Sequence, residues 1–126
     1  MNKLIIDAAN EKIFLMLINK DNIYSITHEN TKINYEKLVL LIEDFLLSKE
    51  TDYNHISKIY INRGPGSFAG IRNSLSIVKA IFLSKKIDYY CYSLQDFKIS
   101  EDIKYENIPN LCDKYQIKKN LINPIY

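Results

Sequence analysis

The sequence predicts a single α/β domain built on a five-stranded mixed sheet. Short apolar runs bounded by turn residues indicate strands, and the apolar spacing changes twice to a helical period. Three strands follow one another through tight turns, which favours antiparallel neighbours. Later strands are separated by helices, which favours parallel neighbours joined by right-handed crossovers. The predicted strands are 4–7, 13–18, 23–27, 56–62 and 87–92, and the predicted helices are 34–48 and 71–84.

Local chemistry supports these boundaries. Turn residues at 20–22 separate the second and third apolar runs. Asn34 is a candidate N-cap for the first helix, and Glu36 would lie favourably in its first turn. Lys85 and Lys86 would lie at the carboxyl end of the second helix, where the helix dipole favours positive charge. Residues 94–99 suggest one further helical turn.

Composition narrows the functional classes. The chain has 126 residues, 47% of them apolar, so a hydrophobic core is expected rather than global disorder. A net charge of +2 without a polybasic stripe does not indicate direct nucleic-acid binding. Cys91 and Cys112 make neither a disulfide framework nor a zinc site. The first residues do not look like a signal peptide, and no apolar run approaches the ~18–20 residues of a membrane span. We therefore expect a cytoplasmic protein without membrane contact.

The domain organisation is predicted from periodicity. Residues 1–100 carry all of the strand and helix patterns, and we expect them to form one domain. Residues 101–126 have weak periodicity and two prolines, and we expect an irregular C-terminal tail or an irregular packing segment.

All three glycines and both arginines of the chain fall within residues 63–72. Glycine is needed where the backbone takes a positive φ or approaches another group closely. We therefore expect a structural turn in which Gly64 and Gly66 bend the chain, Phe68 fills the core and Gly70 lets a helix start close to the sheet. Arg72 would bond a nearby carboxylate or carbonyl. The loop residues singled out are Arg63, Gly64, Pro65, Gly66, Ser67, Phe68, Gly70 and Arg72.

Residues in and around this loop suggest several kinds of catalytic or cofactor site. Its Gly-x-Gly-x-x-Ala spacing formally matches a dinucleotide fingerprint, but the next strand ends without the acidic residue that would hold a ribose. A phosphate-binding loop would need a Gly-Lys-Ser/Thr motif, which does not follow this loop. A nuclease would need several carboxylates beside Asp7, where Asn62 and Arg63 stand instead. Asp7 could instead pair with Arg63 or with backbone N–H groups. His28 and His55 lack metal-ligand spacing. We expect no catalytic residue, metal or cofactor.

The two predicted helices each have a second face. Core faces are predicted for Tyr35, Leu38, Val39, Leu41, Ile42, Phe45 and Leu46 in the first helix, and for Ile71, Leu75, Val78, Ile81 and Phe82 in the second. The opposite side of the first helix carries Leu40 and Leu47. The opposite side of the second carries Asn73, Ser76, Ala80 and Leu83. Small residues there would let another helix approach closely, which favours a binding face for a partner. Alternatively, the three leucines are ordinary exposed apolar side chains, which need no functional explanation.

Residues 64–72 resemble the Gly-Pro-Gly-Ser-Phe-Thr-Gly-Leu-Arg signature of the TsaB (YeaZ) family, with Ala69 at the threonine position. Residues 4–7 are similar to the family's opening Leu-Ala-Ile-Asp, and 34–42 to its first-helix pattern. The resemblance covers about residues 3–97. It implies a ribonuclease-H-like, actin-like (ASKHA) half domain with strand order 3-2-1-4-5. Ala8, Ala9 and Asn10 replace the family's Thr-Ser-Thr.

The resemblance also implies a function. TsaB proteins are the non-catalytic subunit of the bacterial complex that makes threonylcarbamoyladenosine on tRNA. The partner would be a TsaD-like transferase, joined by a TsaE-like ATPase, and tRNA would be contacted only indirectly. The six residues on the sides of the two helices that face away from the core, Leu40, Leu47, Asn73, Ser76, Ala80 and Leu83, would then form the partner interface. The chain resembles a short form lacking most of the second subdomain. Two alternatives stay open: a degenerate module that dimerises with itself, or a minimal phosphotransferase or nuclease using Asp7 and the glycine loop.

Overall fold

Five strands form one mixed sheet in this computed structural model, which describes residues 2–99 and 101–126. The strand order is β3-β2-β1-β4-β5. β1 pairs antiparallel with β2, and β2 with β3, whereas β4 and β5 lie parallel to β1. The predicted fold class and strand order are confirmed. The elements are β1 Asn2–Asp7, β2 Lys12–Ile18, β3 Ile23–Glu29, α1 Lys32–Glu36, α2 Leu38–Ser48, β4 Ile56–Asn62, α3 Phe68–Lys85, β5 Asp88–Tyr92 and α4 Ile108–Lys114.

The predicted first helix is divided in two. α1 ends before Lys37 and α2 begins after it. Asn34 is not the N-cap that we predicted, because Thr31 precedes the helix with extended backbone and its hydroxyl accepts the Asn34 N–H at 3.3 Å. The Asn34 side chain donates instead to the Glu29 carbonyl at 2.8 Å. The helix therefore starts directly from the end of β3.

The helix after the glycine loop starts earlier than predicted. α3 begins at Phe68 rather than Ile71, because the Ser67 hydroxyl caps it by accepting the Gly70 N–H at 3.1 Å. Lys85 lies in its last turn, as its charge favours. Among the helices of the described residues, none combines the length and apolar character that a membrane crossing would require.

The sheet separates two apolar cores. Leu4 and Ile6 of β1 face α2 and α3, whereas Ile5 between them faces the opposite side. The first core contains the buried faces of both long helices. The second contains Tyr60 and Tyr92 from the sheet and residues from the C-terminal part of the chain. Both faces of the central strands are therefore covered, which is typical of parallel pairing.

The C-terminal segment is not the irregular tail that we expected. It contains α4, whose Ile108 and Cys112 are buried in the second core. Pro109 is compatible with the first turn of a helix, where its missing N–H is not needed. A seven-residue helix is too short to give clear periodicity, which explains the wrong expectation. The division after residue 100 stays a prediction, and Met1 and Ser100 of the predicted first domain lie outside the described residues.

Truncating Ile108 should destabilise the whole domain. Ile108→Ala removes a buried side chain from the second core and should lower the free energy of unfolding by about 2–5 kcal/mol. Leu121→Ala, at an exposed position of the same segment, should cost far less. Urea denaturation followed by circular dichroism measures both changes. Equal, small effects would mean that the segment does not share the core of the sheet.

Candidate functional site

The glycine loop connects β4 to α3 in a backbone conformation that only glycine tolerates. Gly64 has φ of 106°, and its N–H donates to the Asn62 side-chain oxygen at 2.8 Å. A Cβ on Gly64 would lie 2.0 Å from the carbonyl oxygen of Ile125. The following Gly64–Pro65 peptide bond is cis. The turn is therefore shaped by its own backbone and by contact with the end of the chain.

The second half of the loop brings α3 against the end of β1. The Ser67 N–H donates to the Ala9 carbonyl at 2.8 Å, and Gly66 packs on the same carbonyl. A Cβ on Gly70 would lie 2.0 Å from the Ala8 carbonyl oxygen. Gly70 thus provides the close approach that the sequence predicted. These contacts fix where α3 begins relative to the sheet.

Arg63 joins the loop to two distant segments. Its Nη2 and Nε donate to the two carboxylate oxygens of Asp96 at 2.6 and 3.3 Å. Its Nη1 donates to the Asn123 carbonyl at 3.0 Å, and its own carbonyl accepts the Ile125 N–H at 2.7 Å. The planar five-donor guanidinium explains why an arginine stands here, since a lysine could not make this set of bonds.

Asp7 is the centre of a buried polar cluster. The residue is 2% exposed, and its carboxylate accepts hydrogen bonds from the Ala9 N–H, the Asn10 and Asn62 side chains and the Tyr105 hydroxyl. The Tyr105 bond is 2.7 Å long. Of our two expected partners, the backbone N–H is present, whereas Arg63 pairs with Asp96 instead. The cluster ties β1, β4 and the C-terminal segment together.

Burial governs the titration of groups near this cluster. Burial, and then the charge of Asp7, raise the pKa of Tyr105, so its hydroxyl remains a hydrogen-bond donor at neutral pH. Burial raises the pKa of Cys91 and of Cys112 to about 12, which keeps both as thiols. Across the described residues, no group of three or more histidine, cysteine, aspartate or glutamate side chains is arranged to hold a metal ion.

Two loop residues differ from expectation. Phe68 does not fill the core: its side chain is 56% exposed and its ring lies 4.6 Å from the ring of Tyr126. The core position beneath is occupied by Ile71, because α3 begins three residues earlier than predicted. Arg72 is exposed, and its side chain makes no hydrogen bond to any of the described residues, so the expected bond to a carboxylate or carbonyl is absent.

The outer faces of α2 and α3 form an exposed surface of apolar and small residues. Leu40, Leu47 and Leu83 are between 56% and 73% exposed. Ser76 and Ala80 are exposed, and Asn73 is half-buried. We call these six residues the outer helical surface. The C-terminal segment leaves this surface exposed: α4 packs on the opposite side of the sheet, and the last residues reach the helix side through Ile122 and through Tyr126 on Phe68.

An open groove of about 390 Å³ runs between the two helices within this surface. Ser76 and Ala80 form part of its wall. Val39 also lines the groove and is 44% exposed, which corrects its predicted place in the core. Val39 lies at one edge of the predicted core face, next to Leu46, and that edge borders the groove instead of the sheet.

Three further groove residues, Tyr53, Glu43 and Lys85, were not predicted. Tyr53, from the turn after α2, lines the groove, and burial followed by the charge of Glu43 raises its pKa to about 12. Glu43 and Lys85 complete the rim with opposite charges. Only the helical spacing of Glu43 from Val39 could have placed it on the same face.

Comparison with known proteins supports the family resemblance. The tRNA threonylcarbamoyladenosine biosynthesis protein TsaB of Buchnera aphidicola subsp. Schizaphis graminum is 28% identical over 87 residues, which is 69% of this chain and 41% of that protein. The TsaB of subsp. Baizongia pistaciae is 30% identical over 74 residues, which is 52% of this chain and 34% of that protein. This chain is therefore similar to TsaB (YeaZ) proteins over part of their length. No protein-family model matches it.

Solved structures show the same fold. YeaZ from Pseudomonas aeruginosa superimposes with a TM-score of 0.67 at 20% sequence identity, over 73% of this chain and 43% of that one. A second structure, described as an uncharacterized protein with similarity to peptidase YeaZ from Pseudomonas aeruginosa, gives the same values. The matched region of this chain therefore spans less than half the length of these TsaB and YeaZ proteins.

Adding a methyl group at Gly70 should displace α3 from the sheet. The Cβ of Gly70→Ala would collide with the Ala8 carbonyl, and we expect a loss of about 1–3 kcal/mol in the free energy of unfolding. Ser76→Ala, an exposed change in the same helix, should stay within about 0.5 kcal/mol. Chemical denaturation measures both. An unchanged stability of Gly70→Ala would contradict the close approach.

Removing the Tyr105 hydroxyl should weaken the Asp7 cluster. Tyr105→Phe leaves a buried carboxylate without one of its donors, and we expect a cost of about 1–3 kcal/mol in the free energy of unfolding. Tyr115→Phe is the matched control, because its hydroxyl bonds to none of the described residues. If thermal and urea unfolding show the same small change for both variants, the Tyr105 bond contributes nothing to the fold.

Proposed function

We propose that this chain is a non-catalytic subunit that binds and activates a TsaD-like threonylcarbamoyltransferase, in the modification of tRNA to threonylcarbamoyladenosine. The TsaB relatives carry the name of that biosynthesis. In this proposal the transfer chemistry belongs to the partner, which also contacts the tRNA. A TsaE-like ATPase is a third component, and the complex works in the cytoplasm.

The outer helical surface is the single observation that carries the proposal. Three exposed leucines lie on the same two helices as a groove whose walls include small side chains. Small residues let the backbone of another helix come close, and the leucines would bury apolar area against it. A pair of helices from the partner, laid along α2 and α3, would make an intermolecular helix bundle.

The charges at the rim favour one orientation of such a partner. Glu43 of α2 and Lys85 of α3 lie on the rim of the groove. A partner helix with a basic side chain near Glu43 and an acidic one near Lys85 would be complementary in that orientation and repelled in the reverse one. The rim charges would thus contribute specificity, while the apolar centre contributes affinity.

The glycine loop supports this surface rather than forming its centre. Its contacts with Ala8, Ala9 and Ile125 hold the start of α3 in place. Pro65, Phe68 and Arg72 are the loop residues whose side chains are exposed. We assign the signature residues the role of positioning α3 for the partner.

A bulky side chain in the groove should abolish the complex. Ala80→Trp would fill the groove, and we expect its affinity for a co-expressed TsaD-like protein to fall at least tenfold, because the partner helix could no longer approach. Asn110→Trp, at an exposed position of α4 on the other side of the sheet, is the matched control and should bind normally. Light scattering after size-exclusion chromatography, with titration calorimetry, measures the complex.

The same pair of variants tests activation. Threonylcarbamoyladenosine formed on tRNA by the TsaD-like protein, with its other components, should rise when this chain is added. The rise should be lost with Ala80→Trp and retained with Asn110→Trp. The proposal is wrong if the chain forms no complex with the transferase, or if Ala80→Trp and Asn110→Trp behave alike.

A further inference from the structure

We propose that a second copy of this chain pairs with the free edge of β3. The two β3 strands would run antiparallel about a twofold axis at Ile26 and join the two sheets into one. This contact is separate from the outer helical surface, because β3 is the end strand of the sheet and contributes none of those residues. The dimer and the proposed complex with a transferase are therefore compatible.

The hydrogen-bond pattern of the β2–β3 ladder determines which groups of β3 are free. At one end of the ladder the Asn19 N–H donates to the Asn22 carbonyl, and at the other the Asn30 N–H donates to the Glu11 carbonyl, both at 3.0 Å. Opposite residues in an antiparallel ladder alternate between bonded and non-bonded pairs. Even-numbered residues of β3 therefore bond to β2, and the N–H and C=O groups of Ile23, Ser25 and Thr27 point outward.

The edge lacks the devices that usually prevent pairing. Exposed edge strands are commonly protected by proline, lysine, a bulge or a short length. β3 has seven residues in continuous register with β2, and the stretch Ile23–Glu29 contains neither proline nor lysine. Ser25 and Thr27 are exposed, and their outward groups bond to none of the described residues.

One end of the edge is already occupied. The Glu29 carbonyl accepts the Thr31 N–H at 2.9 Å and the Asn34 side chain at 2.8 Å. Glu29 therefore limits the edge that a neighbour can use. The register centred on Ile26 places Ser25 opposite Thr27 of the second copy, and Thr27 opposite its Ser25. Those residues carry the outward groups, so this register satisfies them reciprocally.

The side chains match in the same register. Ile26 is 39% exposed and would face Ile26 of the second copy across the axis. Tyr24 would face His28, and Ser25 would face Thr27, a pairing that stabilises antiparallel strands. Glu29 would face the apolar Ile23, so no like charges oppose each other. A twofold contact of this kind is closed and gives a dimer rather than a fibre.

The experiment measures self-association of the full chain and its disruption at the axis. Sedimentation equilibrium over a concentration series should show a reversible dimer. Ile26→Lys puts two ammonium groups opposite each other and should raise the dimer dissociation constant at least tenfold, whereas Ile26→Val should leave it within about threefold. Circular dichroism and thermal unfolding check that both variants fold.

A second variant tests the free edge of β3 without disturbing the pairing of β3 with β2. Thr27→Pro removes an outward donor and leaves the bonds of the even-numbered residues to β2 intact, so the chain should fold as a monomer. Amide hydrogen exchange gives a direct readout: the Ser25 and Thr27 amides should exchange slowly in the dimer and quickly in Ile26→Lys. A wild-type chain that stays monomeric, or a dimer broken by Ala80→Trp but not by Ile26→Lys, overturns the proposal.

Discussion

The fold depends on a close backbone contact between the start of α3 and the carboxyl end of β1. The carbonyl oxygens of Ala8 and Ala9 lie where a side chain on Gly70 or Gly66 would have to stand. Because the helix starts in direct contact with backbone, its position along the sheet is fixed. The outer face of α3, with Leu83, and the groove between α3 and α2 depend on that position.

The opposite side of the sheet has a different role. There Tyr60, Tyr92 and α4 make a second core, and Tyr105 carries its hydroxyl to Asp7. The C-terminal segment therefore covers one face of the sheet, while α2 and α3 cover the other and keep their outer residues exposed.

Much of the fold could be predicted from local patterns, whereas long-range polar contacts could not. Alternation in β1 and the helical spacing of α3 are properties of a few neighbouring residues, and glycine is rare enough here that residues 63–72 stood out. The pairing of Arg63 with Asp96 depends on the folded chain, since Asp96 is one of 15 acidic residues with nothing local to distinguish it. Val39 was misplaced because it lies at the edge of the apolar arc, where helical spacing alone does not distinguish the core from the groove. Helix α4 was missed because seven residues are too few to show a clear helical period.

The attachment of the last residues to the glycine loop has a consequence for the order of events during synthesis. Arg63 receives its carbonyl partner from a residue 60 positions later, and Asp7 receives the Tyr105 hydroxyl from 98 positions later. Both sets of bonds must wait until residues 105–125 have been synthesised. Until then the nascent chain can form the hairpin of β1 and β2, but Asp7 and Arg63 lack these partners. The polar contacts around the glycine loop are therefore completed long after the loop itself has been made.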